Sequence, residues 1–182
     1  MINQNKYYKK DFDEKSEKIK AHIESTPLAK YVWQYGNTPV NELVFQKAKE
    51  LKADYIICVM HWGVEYQRQP NATQKQLARW CVMNGVNAVI GSHPHVLQPV
   101  DYEYYSVNNE IKSGLVVYSL GNFMSNQRDR YTDGGMLFKF EVQKNKNNGL
   151  VRSANTSFIP IYVHKSFEPL AYKIYPAQAE YD

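Results

Sequence analysis

The sequence predicts an α/β fold in its first half, followed by a region of mostly antiparallel strands. A continuous apolar run at residues 55–60 and a mainly apolar run at residues 86–90 have the length and β-branched content of buried strands. A helix-like pattern precedes each run with a short connection, which is typical of parallel βαβ units. From residue 100 onward, short apolar runs alternate with turn signals, which indicates strands joined mainly by hairpins.

The first 36 residues differ in composition from the rest of the chain. They are rich in charged side chains, and the apolar stripe of a helix at residues 9–24 is thin. We interpret residues 1–36 as a charged appendage, with residues 31–36 as a short aromatic strand that docks on the main body. The main domain is expected at residues 37–165, and residues 166–182 are expected to form a C-terminal strand and tail.

Both helices of the first half have recognisable ends. Thr38 and Pro39 supply a cap and a first-turn proline for a helix that runs to Leu51. The segment Asn71-Ala-Thr-Gln74 has the form of a capping box and predicts the start of a second helix. Gly85 is suited to end that helix in the left-handed conformation.

The second half contains a series of strand patterns separated by polar turns. They lie at residues 100–105, 115–120, 135–142, 151–163 and 170–175, with turn signals at 108–109 and 144–149. Within 135–142, Met136, Phe138, Phe140 and Val142 alternate with more polar positions, which predicts a half-exposed antiparallel strand.

Composition and charge narrow the class of protein. The 22 basic residues are spread among 18 acidic ones, for a net charge of +4, so nucleic-acid binding is not expected. No apolar run is long enough for a transmembrane segment, and from the polar, charged residues 1–20 we expect no secretory signal in the sequence as given. Cys58 and Cys81 are interpreted as buried free thiols, with a disulfide as the alternative.

Three histidines follow predicted strands. His61 comes after the first buried run, while His93 and His95 follow the second run and Gly91. In an extended chain, side chains two residues apart point the same way, so His93 and His95 are expected to converge. Because neighbouring parallel strands end close together, we expect His61 to join them in a metal site. The alternative is that these histidines are caps or hydrogen-bonded loop residues.

Other polar side chains lie near the same strand ends. Glu65 and Asn122 are candidates for a metal ligand, an acid or base, or a substrate contact, with a solvated glutamate and a turn-forming asparagine as the alternatives. Arg128 lies in a loop that suits an anionic group, although a solvated charged loop is the simpler interpretation. Trp62, Tyr66 and Tyr118 fit either a pocket wall or the aromatic core.

Three motifs in order resemble a known family. They are His61-Trp62-Gly63-x-Glu65-Tyr66, Gly91-Ser92-His93-Pro94-His95-Val96-x-Gln98-Pro99 and Tyr118-Ser119-Leu120-Gly121-Asn122-Phe123. Over about residues 37–163 the chain is similar to the CapA-like poly-gamma-glutamate capsule synthesis proteins. This resemblance implies part of a calcineurin-like metallophosphatase sandwich, and the family is typically found at the bacterial cell envelope.

The resemblance also implies a divalent metal, which would be Mn, Zn or Fe. Carried over by motif, His61 and His93 would bind one metal and His95 a second. The Asp and Asn motifs of the family's first half are missing from residues 1–36. Without their bridging carboxylate a two-metal centre is not expected, which leaves a mononuclear three-histidine site as the possible metal site. We assign catalysis to His93, His95 and Glu65, and substrate contact to Asn122 and Arg128.

The leading hypothesis is a truncated CapA-like protein with a partial metal site and weak or absent metal-assisted hydrolase activity. Its substrate would be an anionic polymer or a phosphoester-like group. The alternative is a noncatalytic binding or assembly module, because half of an α/β fold leaves a sheet edge and apolar surface open. Such a module would pair with a missing N-terminal half or with a second copy of itself.

Overall fold

The computed structural model describes residues 31–34 as backbone only, residues 48 and 50, and residues 51–177. Apart from Tyr31, all of these belong to one compact unit, Val32–Asp182. The predicted helix at 9–24 lies outside the described residues. So does most of the helix from Thr38, although Ala48 and Glu50 near its end are helical.

A five-stranded mixed sheet forms the first layer, in the order β1-β2-β3-β5-β4. Its strands are β1 Tyr31–Gln34, β2 Ile57–His61, β3 Ala88–Ser92, β4 Val100–Val107 and β5 Glu110–Val117. β2 and β5 both pair with β3 in parallel, whereas β4 pairs antiparallel with β5. The predicted α/β class is therefore confirmed, and the carboxyl ends of β2, β3 and β5 share one edge of the sheet.

The helix α1, Ala72–Met83, connects β2 to β3. The Asn71 side chain accepts a hydrogen bond from the Gln74 N–H at 2.8 Å, and Gln74 Oε1 accepts one from the Asn71 N–H at 3.1 Å. This is the predicted capping box. Gly85, with a φ of 92°, follows the C-cap residue Asn84 in the left-handed region, as predicted.

The core lies between α1 and the first sheet. Cys58 on β2 and Cys81 on α1 are both fully buried and free, which confirms their interpretation as buried thiols. Their contact, together with burial, raises the pKa of the Cys58 thiol. Within the described residues, no helix is long and apolar enough to cross a membrane.

A second, three-stranded antiparallel sheet has the order β6-β7-β8, formed by Gly134–Lys144, Val151–Phe167 and Leu170–Pro176. Its pairing register shifts between Lys139 and Glu141 of β6. Lys139 and Glu141 are two residues apart, whereas their partners Ser157 and Ala154 are three apart, so the extra residue of this bulge lies in β7. The predicted strand is present, and its inward positions become more exposed along its length, from Met136 at 8% to Val142 at 49%.

The two sheets meet close to the strand ends. A bridge pairs Gly121, just after β5, with Gly135 on β6. The Met136 N–H donates to the Leu120 carbonyl at 3.0 Å. The segment that contains Asn122 is therefore fixed between the sheets, close to the edge where β2 and β3 end.

Candidate metal centre

The parallel pairing of β2 and β3 places two histidines side by side. His61, the last residue of β2, is paired with Ser92, the last residue of β3. The Trp62 N–H still donates to the Ser92 carbonyl at 3.1 Å, so the two chains remain adjacent as they leave the sheet. The imidazole centroids of His61 and His93 are 4.4 Å apart as a result.

His93 and His95 reach each other through an unusual backbone. Their φ angles are 99° and 59°, in the left-handed region that non-glycine residues rarely adopt. The ring centroids are 6.0 Å apart. The expectation of an extended chain was therefore wrong, although the side chains do approach each other. Strain of this kind persists only where neighbouring contacts hold it, and it is concentrated at functional sites.

The loop after β2 brings Glu65 to the histidines. The Tyr66 N–H donates to the Pro94 carbonyl at 2.8 Å, which ties this loop directly to the His93–His95 bend. Glu65 Oε1 lies 3.8 Å from His95 Nε2. One ligand atom from each of Glu65, His93 and His95 lies within 4.8 Å of the others.

Asn122 determines which nitrogen of His95 faces this group. The Asn122 Nδ2 amide donates to the Thr132 carbonyl at 2.8 Å and to Gln127 Oε1 at 3.0 Å. Its Oδ1 is therefore the atom that lies 3.0 Å from His95 Nδ1. Because a carbonyl oxygen can only accept, Nδ1 carries a proton, and Nε2 is the nitrogen that faces Glu65.

The electrostatic surroundings keep His61 in its neutral form. Burial lowers the pKa of the His61 imidazole, and the neighbouring His93 and His95 lower it further. A neutral imidazole is the form that binds a metal. His61 nevertheless lies outside the close group of ligand atoms, and its role as a ligand stays a prediction.

A buried pair of glutamines supports the loop that carries Glu65. The Gln74 Nε2 amide donates to Gln98 Oε1 at 2.8 Å, and Gln98 Nε2 donates to the Gln67 carbonyl at 2.7 Å. Gln74 and Gln98 are 1% and 5% exposed. Sequence reasoning missed this support because glutamine usually lies on the surface. The available signals were Gln98 within the histidine motif and Gln74 in the capping box.

The remaining candidates lie apart from the ligand group. The Arg128 guanidinium donates to the Val163 carbonyl at 3.0 Å and to the Ser125 carbonyl at 3.4 Å. Two of its hydrogen-bond donors are therefore already used within the protein. Trp62 is buried and donates from Nε1 to the Tyr118 carbonyl at 2.9 Å, as a core residue would. Substrate contact by Asn122 and Arg128 stays a prediction.

The donors of this group fit a divalent transition metal. Imidazole nitrogens combined with one carboxylate suit Zn, Mn or Fe. The hydrogen bond from His95 to Asn122 is the outer-sphere contact that metal-binding histidines usually make. Of the acidic, histidine and cysteine side chains that the structure describes, these three residues make up the group with suitable spacing.

Mixed parallel and antiparallel sheets with imidazole and carboxylate groups at strand ends define the class as an α/β protein with a candidate metal centre. The family described as bacterial capsule synthesis protein PGA_cap matches residues 2–127. The chain belongs to this family, which has a metallophosphatase-like fold. The matched range includes residues 2–36, which the sequence interpretation treated as a charged appendage outside the family resemblance.

Two relatives in Bacillus are similar to this chain. The PGA biosynthesis protein CapA of Bacillus subtilis (strain 168) is 38% identical over 94 residues, which are 51% of this chain and 22% of that protein. The capsule biosynthesis protein CapA of Bacillus anthracis is 36% identical over 102 residues, which are 54% of this chain and 23% of that protein. The aligned part of the chain thus spans less than a quarter of either relative.

Proposed function

We propose that this capsule synthesis family member binds one divalent metal ion and supports slow metal-assisted hydrolysis or transfer at a phosphoester or amide linkage. The biological setting would be the synthesis of an anionic capsule polymer, as the names of the relatives indicate. The observation that carries the proposal is the convergence of Glu65, His93 and His95, with His95 Nε2 facing the carboxylate.

Each residue has a defined part in this proposal. Glu65, His93 and His95 would hold the ion, which, when bound, would polarise a substrate oxygen and lower the pKa of a bound water. Asn122 keeps His95 in the tautomer that a ligand requires. Three protein ligands leave positions open for water and substrate, as in mononuclear hydrolytic sites. Slow turnover is expected because a second metal is not part of this arrangement.

Metal affinity tests the proposal directly. We expect saturable Zn²⁺ or Mn²⁺ binding to the full chain in a competition titration with a chelator. His95→Ala should weaken binding by more than the roughly 10- to 100-fold that loss of an outer-sphere partner costs. His164→Ala is the matched control, because His164 is exposed and contacts Tyr162 and Tyr175.

Hydrolysis of para-nitrophenyl phosphate, with and without added metal, tests the chemical step. Metal-dependent turnover that is lost in Glu65→Gln would support it. The absence of metal binding by the unmodified chain, or an equal loss of affinity in His164→Ala, would refute the metal site. Thermal unfolding of each variant separates a loss of ligands from a loss of fold.

Exposed apolar side chains on the second sheet favour assembly as a second candidate function. Phe158 is 62% exposed and lies opposite Phe138, while Tyr162 and Tyr175 form the next exposed pair on the same face. Exposed patches of this kind are common at interaction sites. Light scattering across a concentration series tests this candidate, and a monomer at every concentration would count against self-association.

A further inference from the structure

A cleft between α1 and β4 lies outside the candidate metal centre. It encloses about 530 Å³, which is within the usual range for small-molecule sites. Its walls include Lys75 and Arg79 from the helix, Asp101, Glu103 and Tyr105 from the strand, and Tyr118 just after β5. None of these residues belongs to the group formed by Glu65, His93 and His95.

The sequence spacing explains why opposite charges line opposite walls. Lys75 and Arg79 are four residues apart, so they share one face of α1. Asp101, Glu103 and Tyr105 are two residues apart along β4, so they share one face of the strand. The cleft therefore has two cations on its helix wall and two carboxylates on its strand wall. Among the described residues, no ion pair connects the two walls.

Two tyrosine hydroxyls hold Glu103 in place. The Tyr105 hydroxyl donates to Glu103 Oε2 at 2.5 Å, and the Tyr118 hydroxyl donates to Glu103 Oε1 at 3.2 Å. Burial, followed by the contact with Glu103, raises the pKa of Tyr105 to about 12, so this hydroxyl remains a donor at neutral pH. A carboxylate can accept about four hydrogen bonds, so Glu103 keeps capacity for a ligand.

Arg79 approaches the same tyrosine from its ring face. The guanidinium carbon lies 5.1 Å from the centroid of the Tyr105 ring. The hydroxyl of that ring is bonded to Glu103. The Glu103 carboxylate and the Arg79 guanidinium therefore lie next to the same tyrosine side chain, one at its hydroxyl and the other over its ring. This arrangement is suited to a ligand that carries both an ammonium and a carboxylate group.

We propose that this cleft binds a zwitterionic ligand of amino-acid or short-peptide size. The ligand ammonium would contact Glu103 and Asp101, and the ligand carboxylate would contact Arg79 and Lys75. A ligand with a single charge would be attracted by one wall and repelled by the other, whereas a ligand with both charges matches both surfaces. The proposal does not depend on metal binding.

Titration of the full chain with L-alanyl-L-alanine, followed by calorimetry or NMR, tests this site. Two blocked analogues, the N-acetylated dipeptide and the dipeptide amide, each lack one charge, and we expect both to bind about tenfold or more weakly. Glu103→Gln and Arg79→Gln should each weaken binding of the dipeptide to a similar extent. Glutamine at 103 can accept from one tyrosine hydroxyl through Oε1 and donate to the hydroxyl oxygen of the other through Nε2, and Arg79 is exposed, so both variants should fold.

Arg152→Gln is the matched control, because Arg152 is an exposed arginine on β7 that does not line the cleft. We expect it to leave dipeptide affinity unchanged. Three results would overturn the proposal: no saturable binding of the dipeptide, equal binding of the blocked analogues, or an equal loss of affinity in Arg152→Gln.

Discussion

Asn122 lies beside the candidate metal centre and orients one of its histidines. It is 8% exposed, and both polar atoms of its side chain are hydrogen-bonded. The two donors on Nδ2 fix the direction of the amide, and that direction sets the tautomer of His95. The residue therefore acts as a positioning group, and its effect should appear in metal affinity before it appears in any reaction.

We predict that Asn122→Ala lowers metal affinity by about 10- to 100-fold, because His95 would lose the contact that accepts its Nδ1 proton and orients Nε2 toward the candidate site. Competitive chelator titration measures the change. Gln127→Ala is the control, since it removes one partner of Asn122 while the Thr132 carbonyl still fixes the amide. Equal affinities for Asn122→Ala and the unmodified chain would contradict this role, as would an equally large loss in Gln127→Ala.

Among the elements, β3 is the one that positions the site most directly. It lies between β2 and β5 and ends one residue before His93. Close packing around Gly91 holds it there. A Cβ atom at this position would overlap the Tyr118 carbonyl oxygen and Trp62 Nε1, which are themselves hydrogen-bonded to each other. Gly91 therefore permits a close approach of the backbone that any side chain would block.

Gly91→Ala should lower the free energy of unfolding by about 1–3 kcal/mol or more, because backbone and a buried indole must move to admit the methyl group. It should also weaken metal binding, because a shift of the backbone at Gly91 would displace His93, which lies two residues later. Urea unfolding measures the first effect. For comparison, Gly134→Ala would place a Cβ 3.3 Å from the Ile161 carbonyl and should cost less. If both variants were equally stable, this account of Gly91 would be wrong.

In the molecule as a whole, the two sheets are joined by an aromatic contact and by a charged contact. Tyr55, just before β2, packs against Phe140 with ring centroids 6.2 Å apart, and its hydroxyl is hydrogen-bonded to Ser153. Lys144 Nζ lies 2.7 Å from Asp54 Oδ1 at a position where both side chains are more than half exposed. The aromatic contact should dominate, because exposed ion pairs contribute little to stability.

We predict that Tyr55→Ala lowers the free energy of unfolding by about 1–3 kcal/mol, through lost apolar burial and a lost hydrogen bond. Lys144→Ala should cost less than about 1 kcal/mol, and its effect should shrink further in high salt. Denaturant unfolding at low and high salt separates the two contributions. A larger cost for Lys144→Ala than for Tyr55→Ala would reverse the proposed order.

Local sequence signals were sufficient for much of the fold. The capping box at Asn71, the left-handed Gly85 and the turn at Asn108-Asn109 each depend on contacts within a few residues, and all three are present. The bulge in β7 opposite residues 139–141 was not predictable, because it depends on the pairing register of β7 with β6.

In the candidate site, too, local features were predictable from the sequence and contacts between distant segments were not. The sequence by itself determined the family, the order of the motifs and the placement of His61, His93 and His95 at strand ends. Only the tertiary structure decided that Glu65 joins His93 and His95, that Asn122 orients His95, and that Gln74 and Gln98 support the loop. These contacts join segments from separate strands and loops. Their geometry is set by sheet pairing and left-handed backbone, which residue type and spacing do not encode.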